Sequence, residues 1–330
     1  MTIPKNKNFI SAPRRKRAVI VGVGYVGATI AYALTVRNIA DEIVLIDTDK
    51  EKTEGEALDI KHGIPYFGVS NITVGDYADC KDSDIIIICA GRGRKPGQSR
   101  RDLAESNIAV MRDIVAELKK HYTRGAILVV SNPVDILTYA VEKMMGLPNG
   151  VVFGTGCILD VSRLACMIAD YINLSAEAVK CSIVGEHGDN QIAIWSRLAI
   201  AGVPIDEYCR SVGIEWNGEI RSALFDSVKN MGGNIIKAKG RTHYGIATCV
   251  CYLAGAVLDQ SLTIACVSST LNGEYGVNDV ALSVPSIIGV NGVERRLEEK
   301  WADDEHDGFV QSANRLKKFM ESFDDLRGNT

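Results

Sequence analysis

The stretch Ala18-Val-Ile-Val-Gly-Val-Gly-Tyr-Val-Gly27 decides the fold of this chain. Its four leading apolar residues show no polar alternation, which predicts a strand buried on both faces. Gly22 permits a tight turn, Gly24 lets a pyrophosphate approach the backbone, and Gly27 lets the following helix pack on the strand. That helix would offer free N–H groups and the positive end of its dipole to phosphate. The stretch therefore predicts a dinucleotide-binding unit.

A second apolar run, Ile43–Ile46, ends at Asp47, about 20 residues beyond the last glycine of the motif. A carboxylate at this point would accept hydrogen bonds from both ribose hydroxyls of a dinucleotide. It would repel a 2′-phosphate, and Thr48-Asp49 offers no arginine to receive one, so NAD is predicted rather than NADP. An aspartate that only caps the next helix is the alternative, but it does not explain the glycines.

Apolar runs also occur at Ile85–Ile88 and 127–130, with helical periodicity between the runs, as in Val26–Val36 and Ile108–Leu118. Buried strands that alternate with helices indicate a parallel sheet covered on both faces. After residue 150 helical segments dominate, a hairpin is predicted around Asn272–Gly276, and a last helix is predicted over about 307–323.

We therefore expect an α/β fold, with an N-terminal Rossmann-type doubly wound parallel sheet and a C-terminal mixed α+β substrate domain. Residues 1–16 would form a flexible arm, 17–150 the NAD-binding domain, and 151–330 the catalytic, substrate-binding and oligomerisation domain. The basic cluster Arg14–Arg17 precedes a strand with no apolar signal core, so we interpret it as part of a solvated arm.

The composition excludes several classes of function. The 330 residues are 46% hydrophobic and 24% charged, as in a soluble globular protein, and the net charge of -4 disfavours a nucleic-acid partner. No apolar run is long enough to span a bilayer. The nine cysteines are scattered without a C-x-x-C or Cys/His spacing, so we expect no metal site and a reducing, cytoplasmic location.

Carbonyl reduction by hydride transfer needs a proton donor, and histidine is suited to this near neutral pH. Of the five histidines, His187 stands out because it lies between glycines after a β-prone run, although a surface-loop histidine remains the alternative. Asp160 could orient its ring, and Arg163 lies three residues on along a predicted helix. An aspartate that only complements the helix dipole is equally compatible with these residues.

Six segments resemble the L-lactate/malate dehydrogenase family in order and spacing, over residues 17 to 320. They are G-V-G-Y-V-G, L-I-D-T-D-K-E-K-x-E-G-E-A-L-D, V-V-S-N-P-V-D, L-D-V-S-R, G-E-H-G-D and N-G-E-Y-G. S-N-P-V-D, G-E-H-G-D and K-G-R-T (residues 239–242) look like the lactate branch rather than the malate branch.

The resemblance implies that His187 is the acid in carbonyl reduction, that Asp160 orients it, and that Arg163 binds the substrate carboxylate through a bidentate fork. Asn132 would bond the reacting oxygen and help to place the nicotinamide. Arg100 would polarise the carbonyl once its mobile loop closes. With the glycine motif, the predicted NAD contacts are Gly22, Gly24, Tyr25, Val26, Gly27, Asp47, Gly91 and Asn132.

Two residues disagree about the substrate. Arg94 occupies the position that reads the substrate's side chain, and an arginine there is typical of malate dehydrogenases because a second carboxylate needs a cation. Thr242 at the facing wall is the lactate-type residue, and arginine at the Arg94 position does occur in clostridial lactate dehydrogenases. The sequence therefore favours L-lactate dehydrogenase acting on pyruvate, with malate dehydrogenase as the alternative. A catalytically inactive NAD-binding sensor is a remote third hypothesis.

The resemblance also bears on assembly. Relatives of this type are usually homotetramers, with a dimer as the alternative, and some are activated by fructose 1,6-bisphosphate held by an arginine and a histidine. Ala165 and Lys180 occupy those two positions here. Because one of the two cations is lost, we expect weak or absent activation.

Overall fold

The predicted buried runs lie side by side in one sheet. The computed structural model describes residues 15–68, 70–93 and 97–323, so most of the predicted arm, residues 1–14, lies outside the described residues. The strands are β1 (Arg17–Val21), β2 (Glu42–Ile46), β3 (Asn71–Val74), β4 (Ile85–Ile88), β5 (Ala126–Val129), β6 (Val152–Gly154), β7 (Val179–Lys180), β8 (Ile183–Gly185), β9 (Gln191–Ala193), β10 (Ala199–Ile200), β11 (Val203–Pro204), β12 (Thr263–Asn272), β13 (Asn278–Gly289) and β14 (Gly292–Arg296).

Helices connect and cover these strands. They are α1 (Tyr25–Val36), α2 (Lys50–Phe67), α3 (Arg100–His121), α4 (Val134–Met145), α5 (Ile158–Ile172), α6 (Ile205–Val212), α7 (Gly218–Lys239), α8 (Tyr244–Asp259) and α9 (Asp303–Met320). In the part of the chain that the structure describes, none of them is long and apolar enough to cross a membrane.

The first six strands are parallel in the order β3-β2-β1-β4-β5-β6, which is the order of a dinucleotide-binding sheet. All four residues of β4 and all four of β5 are fully buried, as expected for strands covered by helices on both faces. The order in which strands are added reverses between β1 and β4. In such sheets, ligands bind at that switch point, beyond the carboxyl ends of the strands. The predicted fold class is confirmed.

The second half continues the same sheet in antiparallel fashion. Strand β12 pairs with β6 through Ser268 and Gly154, and β13, β8 and β9 follow outward. The predicted hairpin forms, with its turn between β12 and β13. A separate three-stranded sheet has the order β11-β10-β7. Because β6 pairs with β5 and with β12, the C-terminal part of the chain is anchored to the edge of the parallel sheet.

The last helix begins earlier than predicted, at Asp303 rather than 307, and ends at Met320 rather than 323. Its first turn is acidic, and Glu305 accepts a hydrogen bond from the Ala302 N–H at 3.1 Å. Negative charge at this end interacts favourably with the helix dipole, so the acidic residues before 307 form the first turn of the helix.

Candidate active site

The glycine motif forms the floor of the cofactor cleft. Gly22 has a φ of +97°, and a Cβ there would lie 2.3 Å from the Ala90 nitrogen at the end of β4. A Cβ on Gly27 would lie 2.0 Å from the Gly22 carbonyl oxygen, so α1 can approach β1 only because position 27 has no side chain. A Cβ on Gly24 would meet no atom within 4 Å, and Gly24 lines the cleft.

The N-terminus of α1 is available to an anion. Its first turn contains no acidic residue, and among the described residues no side chain caps it at Gly24. Tyr25 is 61% exposed, and the Arg241 guanidinium lies 3.6 Å from its ring centroid. Free N–H groups at a helix start, together with a nearby cation, suit a diphosphate.

Asp47 follows β2 and faces the glycine turn. Its Oδ2 accepts from the Val23 N–H at 2.6 Å, and its Oδ1 accepts from the Asp49 N–H at 3.1 Å. Burial acts to raise the pKa of Asp47, but these donors outweigh it and hold the pKa below its ordinary value. Asp47 is therefore an anion with free lone pairs that can accept from the ribose hydroxyls.

A cleft of about 670 Å³ lies over the switch point, lined by Gly22, Gly24, Asp47, Gly91 and Arg92 among others. Gly91 and Arg92 also line a second cavity of about 740 Å³, which is lined in addition by Val26, Asn132, Asp160, Arg163 and His187. A dinucleotide with its adenosine in the first cleft would reach the second with its nicotinamide. The residues present fit NAD.

Three predicted residues meet in the second cavity. The Nδ1–H of His187 donates to Asp160 Oδ2 at 2.6 Å, and Arg163 Nη1 donates to Asp160 Oδ1 at 3.0 Å. Asp160 and Arg163 lie one turn apart on α5, while His187 follows β8. The Asp160 side chain is 3% exposed and the His187 side chain 28% exposed. The hydrogen bond at Nδ1 leaves Nε2 as the ring nitrogen available to a substrate.

Opposing effects act on the pKa of His187. Burial lowers it, but the hydrogen bond and charge of Asp160 outweigh burial, so the pKa lies above the ordinary value of 6.5. A histidine whose pKa is raised in this way, and which retains one free ring nitrogen, can act as a general acid.

Asp135 holds the main chain of His187, and sequence reasoning missed it. Its Oδ2 accepts from the His187 N–H at 2.8 Å, and its Oδ1 accepts from the Ser268 hydroxyl at 2.6 Å. Burial raises the pKa of this carboxyl, and Ser268 and His187 oppose that effect. Asp135 does lie in the quoted segment S-N-P-V-D, but its partners are far away in sequence.

Arg100, the first residue of α3, is held outside the cavity. Its Nη2 pairs with Glu186 Oε1, its guanidinium lies 5.3 Å from the Phe319 ring centroid, and Asn190 donates to Glu186 Oε2 at 2.7 Å. Glu186 was not predicted, although it immediately precedes His187. The structure therefore shows Arg100 bound to the buried carboxylate of the residue that precedes His187.

Asn132 lies at the carboxyl end of β5 and lines the cavity. Its Oδ1 accepts from the Val134 N–H at 3.2 Å, which leaves its amide N–H groups for a ligand. The buried Asn107 was also missed. Its amide donates to the carbonyls of Asn132 at 2.7 Å and Arg92 at 3.1 Å, so it joins the loop after β4 to the loop after β5.

Thr242 lines the opposite wall of the cavity. Arg94, the residue predicted to read the substrate's side chain, lies outside the described residues. Arg92 lines both cavities, and Arg101 pairs with Glu105 at 2.8 Å and donates to the Ser322 carbonyl at 3.1 Å.

One group in the described part of the chain has the composition of a metal site: Cys157, Asp160 and His187, whose ligand atoms lie within 4.8 Å of one another. Burial raises the pKa of the Cys157 thiol well above its ordinary value. The Nδ1 nitrogen of His187 and the carboxylate of Asp160 already bind each other.

Comparisons with known proteins agree with this geometry. Residues 16–154 match the family model for the lactate/malate dehydrogenase NAD-binding domain, and residues 157–326 match that for its alpha/beta C-terminal domain. The first match confirms NAD as the cofactor. The chain is 43% identical to an L-lactate dehydrogenase of Thermoanaerobacter pseudethanolicus, over 92% of this chain and 98% of that one. It is 41% identical to an L-lactate dehydrogenase of Acetivibrio thermocellus, over 94% and 98%.

Solved structures show the same likeness. A lactate dehydrogenase from a Medee basin deep-sea metagenome library superposes with a TM-score of 0.90 at 34% identity, covering 95% of this chain and 99% of that one. The minor L-lactate dehydrogenase of Enterococcus mundtii superposes with a TM-score of 0.88 at 39% identity, covering 93% and 98%. Since both halves match family models and the relatives align over nearly their whole length, the chain belongs to the lactate/malate dehydrogenase family.

Proposed function

We propose that this chain is an NAD-dependent L-lactate dehydrogenase, which reduces pyruvate to L-lactate and catalyses the reverse reaction. The observation that carries the proposal is the contact of His187, Asp160 and Arg163 in a cavity continuous with the NAD cleft. The named relatives, all L-lactate dehydrogenases, support pyruvate over oxaloacetate.

The nicotinamide, when bound, supplies or accepts the hydride. His187 gives the proton from Nε2 to the substrate oxygen during reduction and takes it back during oxidation. Asp160 keeps the proton of the neutral ring on Nδ1 and stabilises the imidazolium through the 2.6 Å hydrogen bond. Because Asp160 is held by Arg163 as well, its carboxylate cannot rotate away from the ring.

Arg163 binds the substrate carboxylate with the N–H groups that Asp160 leaves free, and the planar fork of arginine matches the two oxygens. Asn132 donates its amide N–H to the reacting oxygen. Arg100 polarises the carbonyl. For this, its guanidinium must leave Glu186 and contact the substrate instead. Loop closure would thus bring a cation into a cavity from which water is excluded.

In this proposal Thr242 and Arg94 are the residues that select the substrate's side chain. A methyl group fits beside threonine. Arg94 also suits a second carboxylate, so we expect measurable side activity with oxaloacetate.

We also propose a cytoplasmic homotetramer, with a homodimer as the alternative. The cytoplasmic assignment is supported by nine cysteines that are all free, of which six are buried. The proposed assembly follows from the family resemblance, and sedimentation of the purified chain measures it.

The test compares kcat/KM for pyruvate and for oxaloacetate with NADH. We expect pyruvate to be preferred; a tenfold or greater preference for oxaloacetate would establish malate dehydrogenase instead. His187→Asn serves as the control, since loss of turnover with retained NADH binding identifies catalysis at this residue. An inactive NAD-binding sensor would show no turnover in either protein.

A further inference from the structure

We propose that Asp135 is a positioning residue that fixes the main chain of His187 relative to Asn132 and whose charge stabilises the protonated ring. The inference rests on the proposed function, because it assigns a role in the same proton transfer. Asp135 touches neither the substrate cavity nor the cofactor cleft, and it therefore acts through His187.

The connectivity of Asp135 is the first argument. It lies in the first turn of α4, three residues after Asn132, and it binds the N–H of His187, 52 residues away. Its other oxygen binds Ser268 of β12, the strand that joins the two parts of the sheet. One carboxylate therefore sets the distance between the amide that binds the substrate oxygen and the ring that protonates it.

The hydrogen-bond donors and the location of Asp135 also suit a carboxylate. Both partners of Asp135 donate, and a carboxylate that only accepts is suited to two such donors. The side chain is 3% exposed and sits at a helix N-terminus, where the dipole favours an anion. A buried negative charge close to His187 attracts a proton to the ring with little screening by water.

Two other charged groups act on this histidine, Asp160 and Arg163 of α5, and Cys157 precedes that helix. Nearby, Arg100 of α3 pairs with Glu186 in the turn after β8. Asp160 contacts the ring directly, and Asp135 contacts its main chain. The two carboxylates thus act on one histidine from different sides, and only the Asp160 contact is made with a ring nitrogen.

The experiment uses Asp135→Asn, which keeps a side-chain oxygen for the His187 N–H but removes the charge. Pyruvate reduction needs protonated His187 and is lost as pH rises through its pKa, whereas lactate oxidation needs the neutral ring. If the variant lowers that pKa, kcat/KM for pyruvate falls roughly 3- to 10-fold near neutral pH and recovers toward wild type in acid, while lactate oxidation at low pH increases. A merely structural defect would reduce both directions at every pH.

A second readout needs no turnover. Diethyl pyrocarbonate modifies only neutral imidazole, so the pH dependence of His187 modification, followed by peptide mass spectrometry, reports the same protonation in the absence of substrate. We expect half-maximal modification at lower pH in Asp135→Asn. This assay separates the inference from the proposed function. A wild-type protein that is inactive with pyruvate would refute the proposed function. The modification profile would still show whether Asp135 raises the pKa of His187.

The matched control is Glu142→Gln, which removes another buried carboxylate from α4 at a distance from His187. Its pH profiles should superpose on those of the wild type. Ser268→Ala is the second variant if Asp135→Asn fails to fold, and a smaller shift in the same direction is expected. Unchanged pH profiles in the folded variant, or equal losses in both directions at all pH values, would overturn the proposal.

Discussion

At the residue scale, the proposed proton transfer depends on how one histidine retains its proton. The ring of His187 is half-enclosed, and burial alone would favour its neutral form. Asp160 reverses this through a short hydrogen bond, and Arg163 keeps Asp160 in place. The sequence could suggest each residue, but the choice between a catalytic aspartate and a helix-capping aspartate required the distance between α5 and the turn after β8.

This arrangement determines the pH dependence. The protonated ring is present below the pKa of His187, which is raised above 6.5, so kcat/KM for pyruvate should be constant in mild acid and fall as pH rises through that higher value. Asp160→Asn removes the stabilising charge. We expect the fall to move to lower pH and kcat/KM at pH 7 to drop by roughly 100-fold or more. Unaltered NADH binding, measured by fluorescence, is the control; a variant with the wild-type pH profile would contradict this role.

Arg163→Lys tests the geometry of substrate binding without a change of charge. Lysine presents a single ammonium group instead of a planar fork, and it cannot hold both Asp160 and a substrate carboxylate in the same way. We expect KM for pyruvate to increase by about 10-fold or more. Saturation kinetics at fixed NADH measure this, with Arg197→Lys, at an exposed position that does not line the cavity, as a matched control. Equal KM values in all three proteins would remove Arg163 from the binding site.

At the scale of elements, the approach of α1 to β1 forms the cofactor site. Local sequence was sufficient here, because the turn and the helix start are consecutive. The structure adds the reason for each glycine: Gly22 meets the end of β4 and Gly27 meets Gly22 itself. Short strands such as β10 and β11, of two residues each, were not predicted, because such brief segments carry too little periodicity. Helix α6, of eight residues, was not predicted either.

Gly27→Ala should separate α1 from β1. The added Cβ would lie 2.0 Å from a backbone oxygen, so the helix must shift, at a cost of about 1–3 kcal/mol in the free energy of unfolding, and NADH binding should weaken. Gly55→Ala is the matched control, because its Cβ would meet nothing within 4 Å on the exposed side of α2. That control should be neutral or slightly stabilising. Denaturant unfolding and NADH titration measure both effects; similar behaviour of the two variants would contradict the packing argument.

At the scale of the whole molecule, one continuous sheet holds the two halves of the site in register. Strand β6 pairs with β5 on one side and with β12 on the other, so the NAD-binding strands and the strands below His187 form a single scaffold. The boundary predicted at residue 150 stays a prediction. Assembly of several chains into an oligomer is likewise a proposal. The response to fructose 1,6-bisphosphate gives a further prediction at this scale.

Fructose 1,6-bisphosphate should have little effect on this enzyme. Lys180 is exposed on β7 and supplies one cation, but Ala165 on α5 supplies none, and a doubly charged phosphate held by a single exposed lysine binds weakly. Pyruvate saturation curves with and without the effector should superpose. A large decrease in KM on addition of the effector would contradict the prediction, and Ala165→Arg tests whether the missing cation is the cause.

The sequence by itself determined the parallel sheet, the glycine turn, Asp47 and the preference for NAD, because each of these depends on neighbouring residues and on the period of a strand or helix. The tertiary structure decided which distant groups meet. Asp135 with His187, Arg100 with Glu186, and Asn107 with Asn132 are pairs separated along the chain. Their contact depends on how the strands align across the sheet, and no local pattern of residues encodes that alignment.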